Sequence, residues 1–244
     1  MGRTGFSGVP LTAGRGATTQ KDLTIKWNYP VYAPTTPSPA TGSRTGELGG
    51  ALELREVYRI LANGDTRPLL VLREFATFDD PGNEKLSRRL YTERTVLLCH
   101  WFNCVRLPPH VTELDHPFHM LFAGDDAPQL LLARADGSAV FPFEYKAPGA
   151  DLEKLMTRVL DDHYAKNPSQ VLGQLLKMLP RFDQLDSQIQ ELKDALDKAI
   201  EEQGATSGKA KKLARDLARL QVEKRELEER KEALRQIPLK TATG

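Results

Sequence analysis

The pattern of apolar positions divides the chain into four stretches. Between residues 181 and 236, apolar residues recur at alternating steps of three and four. Phe182, Leu185, Ile189, Leu192, Leu196 and Ala199 form a first run, and Leu213, Leu217, Leu220, Lys224, Leu227, Lys231 and Leu234 a second. That spacing is a heptad stripe, and GATSG between the runs is a turn, so the two helices are expected to fold back as a coiled-coil hairpin. Lysine stands at two stripe positions, 224 and 231. A charge in a stripe costs stability unless it fixes register or meets a partner, so the second helix from about residue 222 to 234 is the expected contact region.

Upstream, residues 51–166 alternate strand and helix signals. ALELREVYRILANG reads as a helix with Leu54, Val57, Tyr58 and Leu61 on one face and Asn63-Gly64 at its end. RPLLVLREF is an unbroken apolar run, the mark of a strand buried on both faces. A helix is expected over residues 83–93, a strand over FNCVRL, a short helix within 115–123 and a strand over QLLLA. The turn Ala135-Asp136-Gly137 leads to a strand over 138–143. DLEKLMTRVLDDHY closes this part as a helix capped by Asp151. VLGQLLKML, within a connecting segment 167–180, reads as a short helix stopped by Pro180.

Residues 1–50 are rich in Gly, Pro, Ser and Thr and cannot bury enough surface to fold alone. One island, DLTIKWNYPVY, alternates apolar and polar residues as a short strand does. Its Trp27, Tyr29 and Tyr32 suit an arm that orders on another surface. Residues 238–244 are a tail.

Composition adds exclusions. The 244 residues carry 34 Lys+Arg and 33 Asp+Glu, a net charge of +1, which gives no overall pull toward nucleic acid or acidic lipid. No run approaches the roughly 20 apolar residues of a membrane helix, and the first residues lack the apolar core of a secretion signal. Two cysteines are too few for a disulfide scaffold. The expectation is a cytoplasmic protein without membrane insertion.

Candidate chemistry is sparse. Cys99 and Cys104, with His100 between them, are weak metal candidates, since zinc needs four ligands. His110, His116 and His119 are near in sequence, but Cys104 within an apolar strand behaves as a small hydrophobe. His116-Pro117-Phe118-His119 has no nucleophile beside it. No phosphate-binding loop, nucleophile elbow or metalloprotease motif occurs. Lys209, Lys211 and Lys212 follow the hairpin turn opposite Glu201 and Glu202, which suggests pairing across the hairpin.

The element order over 67–164 resembles a thioredoxin-like domain. RPLLVLREF resembles the strand before the active-site loop, Ala127-Pro128 before QLLLARADGSAV resembles the cis-proline loop and terminal hairpin, and DLEKLMTRVLDDHY the closing helix. The resemblance implies an α/β fold with a mixed sheet flanked by helices, and a cis peptide at Pro128. It also locates the redox cysteine pair of that family, where a helix N-terminus would lower a thiol pKa. Here that place reads Asp79-Asp80-Pro81-Gly82, with no cysteine.

The residues therefore favour a non-catalytic structural or adaptor subunit without a cofactor, meeting other protein subunits through the hairpin and the arm. Leu185, Ile189, Leu192, Leu196, Leu217, Leu220, Lys224, Leu227, Lys231 and Leu234 are its candidate contact positions, with self-association of hairpins as one way to use them. A thiol protein working through Cys99 and Cys104 and a nucleic-acid accessory factor remain as alternatives.

Overall fold

The computed structural model describes residues 11–30, 52–77, 80–124 and 127–240. Tyr32, Asp79 and most of the expected arm lie outside them. A four-stranded mixed sheet runs β1 (Leu69–Arg73), β2 (Asn103–Leu107), β3 (Leu130–Ala133) and β4 (Val140–Phe143), in spatial order β2-β1-β3-β4. β1 lies parallel to β2, and β3 is antiparallel to both β1 and β4. The unbroken apolar run did predict a central strand. Leu69, Leu70 and Val71 are wholly inaccessible to solvent.

Successive strand residues point to opposite faces, so each face builds its own core. Leu69, Val71, Val105, Leu107 and Leu131 face α2 (Leu54–Ala62), which contributes Val57, Tyr58 and Leu61. Leu54, expected on that inner face, is exposed. Asn63 closes α2 in the left-handed conformation. The turn before β4 carries Gly137 at φ 72°, and the Tyr58 ring occupies the space a Cβ there would need.

Leu70, Leu72, Cys104, Leu130 and Leu132 face the other way. Against them lie α3 (Pro81–Leu90), α4 (Glu93–Leu98) and α5 (Leu152–His163). Asp151 caps α5 as expected, its carboxylate accepting from the Lys154 amide at 3.1 Å. Thr92 caps α4, which was not anticipated as a separate helix. The expected short helix near 115–123 is a single 3-10 turn, His119–Leu121.

The hairpin follows. α6 spans Ser169–Gln203 and α7 spans Gly208–Arg235, antiparallel and joined by the expected turn. Pro180 does not stop α6, contrary to the expectation of a separate connecting helix. Leu175, Met178 and Leu179 before it and Phe182 after it are buried in the main core, Leu185 is buried as well, and that burial outweighs the lost backbone bond. At about 1.5 Å per residue α6 is roughly 50 Å long, and only its first half is rooted in the body. Beyond Ile189, Ala199 and Ala210 are the buried positions of the distal hairpin. No described helix is long and apolar enough to cross a membrane.

Candidate functional site

The arm segment 11–30 lies on its own chain. Residues Ala17–Asp22 form a helix, α1, instead of opening a strand. The strand reading survives only at Asn28, whose amide donates to the Cys104 carbonyl at 2.8 Å and whose carbonyl accepts from Arg106 at 2.9 Å, beside β2. Leu23 and Ile25 are buried in the main core, and Trp27 packs against it. Tyr29 is 61% exposed.

Nothing in α1's own sequence caps it. The first-turn amides, which a helix cannot bond internally, are met by α6 instead. Asp183 Oδ1 accepts from Gly16 N at 2.8 Å, and Asp186 Oδ2 accepts from Thr18 N at 2.8 Å. Arg15 bonds Asp183 and Glu93, and Thr19 Oγ1 donates to the Leu179 carbonyl at 3.1 Å, immediately before Pro180. Burial alone would raise the Asp183 carboxyl, but the hydrogen bonds from Arg15, Thr19 and the Gly16 amide together hold it below the usual carboxylate range. A Cβ on residue 16 would stand 2.7 Å from Asp186 Oδ2, so glycine permits the approach.

The two stripe lysines belong to this junction. Lys224 pairs with Asp186 at 2.7 Å. Lys231, 7% exposed, places Nζ 3.0 Å from both carboxylate oxygens of Asp22 and 4.9 Å from the Phe182 ring centroid. Arg235 also reaches Asp22, at 3.2 Å. Sequence reasoning assigned these lysines to an outside partner; the structure gives them partners within the chain, because α1 packs as a third helix at the hairpin root. The signal it missed was Asp22, which is 209 residues away from Lys231.

His100 Nε2 lies 3.0 Å from the Asp22 carbonyl and 3.2 Å from Arg235 Nη2. Burial, then the Arg235 charge, pushes this imidazole down to about 4. Trp101 Nε1 donates to the Arg235 carbonyl at 2.9 Å, and Tyr164 OH to the Trp101 carbonyl at 2.8 Å, fixing the end of α7 to the body.

The thiols are part of the core. Cys99 and Cys104 are 6% and 3% exposed and free, and Cys104 Sγ lies 3.6 Å from the Cys99 carbonyl. A hydrogen bond between the two thiols, with burial, pushes Cys99 well above the ordinary thiol range. His116 instead uses Nδ1 to accept from the Phe118 amide at 3.1 Å, and His119 Nδ1 lies 3.0 Å from the Thr112 carbonyl. Among the described residues no three His, Cys, Asp or Glu side chains are grouped to hold a metal ion.

In the segment that the thioredoxin-like resemblance would make the redox site, Asp80 is the N-cap of α3. Its Oδ1 accepts from Gly82 N at 2.7 Å, and Pro81 takes the first helical position. The adjoining cleft, of about 880 Å³, is lined by Arg73, Phe75, Asp80, Pro128, Gln129 and Tyr145 among others. No cis peptide occurs among the described residues, so the cis bond expected at Pro128 is absent. The Ala127 carbonyl accepts from Arg73 Nη2 at 3.2 Å in this trans arrangement.

The hairpin's other candidate positions divide by height. Leu185 and Ile189 are buried at the root, whereas Leu192, Leu196, Leu217, Leu220, Leu227 and Leu234 are half-buried. The expected pairing of Lys209, Lys211 and Lys212 with Glu201 and Glu202 does not occur; the cross-hairpin ion pairs are the lower ones, Arg181–Glu223 and Asp186–Lys224. No family model, no curated protein and no solved structure matches this chain.

Proposed function

We propose that the chain is a non-catalytic structural or adaptor subunit that meets other protein subunits through the distal half of its hairpin. The observation that carries this reading is the hairpin beyond Ile189. Two helices alone leave the stripe leucines half-buried and every charge of residues 209–219 except Asp216 exposed. A self-contained domain has no use for such an extension, and a binding partner that covers it would bury the leucines.

The body serves as its mount. We read it as a thioredoxin-like domain. The strand order β2-β1-β3-β4 with β3 antiparallel to its neighbours, and the closing helix α5, support that reading. The capping role of Asp80 at the redox position and the burial of both thiols argue against disulfide exchange there.

The test is affinity purification from the native host. Deleting residues 181–236 would remove Phe182 and Leu185 from the core, so the comparison is between the full chain and one whose residues 191–219 are replaced by a short polar turn. The full chain is expected to bring down other subunits in stoichiometric amounts, and the shortened chain to lose them. Equal recovery with both chains overturns the reading.

A further inference from the structure

The distal hairpin has one acidic helix and one basic helix. Residues 187–203 of α6 hold five acids, Glu191, Asp194, Asp197, Glu201 and Glu202, against Lys193 and Lys198. Residues 208–222 of α7 hold five bases, Lys209, Lys211, Lys212, Arg215 and Arg219, against Asp216. This distribution opposes the helix dipoles, since acids crowd the C-terminal end of α6 and bases the N-terminal end of α7. Something other than helix stability keeps it.

The opposite charges do not meet within the hairpin. Asp194, Asp197 and Glu201 recur at steps of three and four on the side of α6 turned away from the Leu192–Leu196 stripe. Lys211, Arg215 and Arg219 recur at steps of four on the side of α7 turned away from the Leu213–Leu217 stripe. All six are exposed, and none forms an ion pair among the described residues. Asp194 accepts one hydrogen bond, from Gln190 at 2.8 Å in its own helix.

The two outer faces stand at the same height. The pairs Arg181–Glu223 and Asp186–Lys224 fix the register of the two helices. Carrying it toward the turn at equal rise puts residue 194 level with about residue 214, and residue 197 level with about residue 211.

We infer that hairpins of this protein associate side by side with their tips in the same direction, the outer face of α7 in one copy against the outer face of α6 in the next. In that arrangement Lys211 and Arg215 of one copy stand against Asp197 and Asp194 of its neighbour. The contact is heterologous, so it generates a row or a ring of copies instead of a closed pair. A second copy is favoured over a nucleic acid because it accounts for both faces at once: the acids of α6 match the bases of α7 in sign, number and height, whereas a polyanion would use the bases alone and leave the acids without a role. The inference rests on the reading of the distal hairpin as a contact surface and assigns its charged outer faces to a second copy, leaving the leucine stripe to the other subunits.

The experiment is sedimentation velocity on the full chain across a concentration series, at about 50 mM and about 500 mM salt, where exposed charge pairs are weakly and strongly screened. The expected result is concentration-dependent association at low salt that weakens at least tenfold at high salt. Two triple variants follow, Lys211→Glu/Arg215→Glu/Arg219→Glu and Asp194→Lys/Asp197→Lys/Glu201→Lys, with helix content checked by circular dichroism. Each alone is expected to lose association at least tenfold, and an equimolar mixture of the two to recover it, a recovery that unfolded hairpins would not show. A wild-type chain that stays monomeric at every concentration and salt overturns the inference, as does association unchanged in both variants. So does salt-sensitive retention of a monomeric wild type on single-stranded RNA, lost in the Lys211 variant, which assigns the basic face to nucleic acid. If purification from the host still depends on residues 191–219 after any of these results, the subunit reading stands while self-association falls.

Discussion

Lys231 sits where a heptad calls for leucine, and the reason is Asp22. The carboxylate is 3% exposed and meets Lys231 Nζ through both oxygens, with Arg235 as its second cation. Removing one member of a buried pair leaves a charge without solvent, so Lys231→Met is expected to destabilise the fold by about 2–4 kcal/mol in urea unfolding, the remaining Arg235 keeping it from costing more. Lys231→Met with Asp22→Asn should cost less than the two single changes added together, because the second removes the stranded charge. His100 gives the junction a pH dependence. Its native imidazole titrates near 4, below the 6.5 of an unfolded histidine, so between those values the unfolded chain binds the extra proton. Stability is therefore whole above about 6.5 and falls as pH drops toward 4, by up to about 3 kcal/mol, and then levels off as far as this group is concerned. His100→Gln should flatten that limb of a plot of urea midpoint against pH.

Among the elements, those whose apolar pattern is self-contained were legible. The run of β1, the Asn63-Gly64 end of α2, the Asp151 cap of α5 and the two stripes of the hairpin all follow from neighbours in sequence. α1 was not legible, because ATTQKD has no apolar face and its caps are carboxylates on α6 more than 160 residues away. The continuity of α6 through Pro180 was misread for the same reason, since burial on both sides decides it. Of the candidate contact positions, the leucines of the distal stripe lie where the spacing put them, whereas the two lysines were turned inward by an element that local pattern could not supply. The dependence of α1 on α6 can be tested at Gly16. Gly16→Ala pushes a methyl group against Asp186 and the Asp183 backbone, which are not free to retreat. It should cost about 1–2 kcal/mol in unfolding and speed hydrogen exchange at the Thr18 and Thr19 amides while leaving β1 amides protected.

For the whole molecule, stability is unevenly spread. The sheet, α2 to α5 and the lower hairpin share two continuous cores, and the upper hairpin has little beyond a two-helix stripe. Among the described residues, trypsin on the native chain should therefore cut first at Lys209, Lys211 or Lys212, next to the turn, and leave the two resulting pieces held together through the hairpin root. Mass spectrometry of the early fragments checks this; first cleavage within residues 80–124 would contradict it. The Asp22–Lys231 bond also has a consequence in time. Its two halves are made 209 residues apart during synthesis. Until the end of α7 leaves the ribosome, Asp22 has neither of its cations, and α1 can reach only the α6 carboxylates. α7, translated long after α1, thus locks it in place, and a chain stopped before residue 231 would carry an arm that docks without its closing bond.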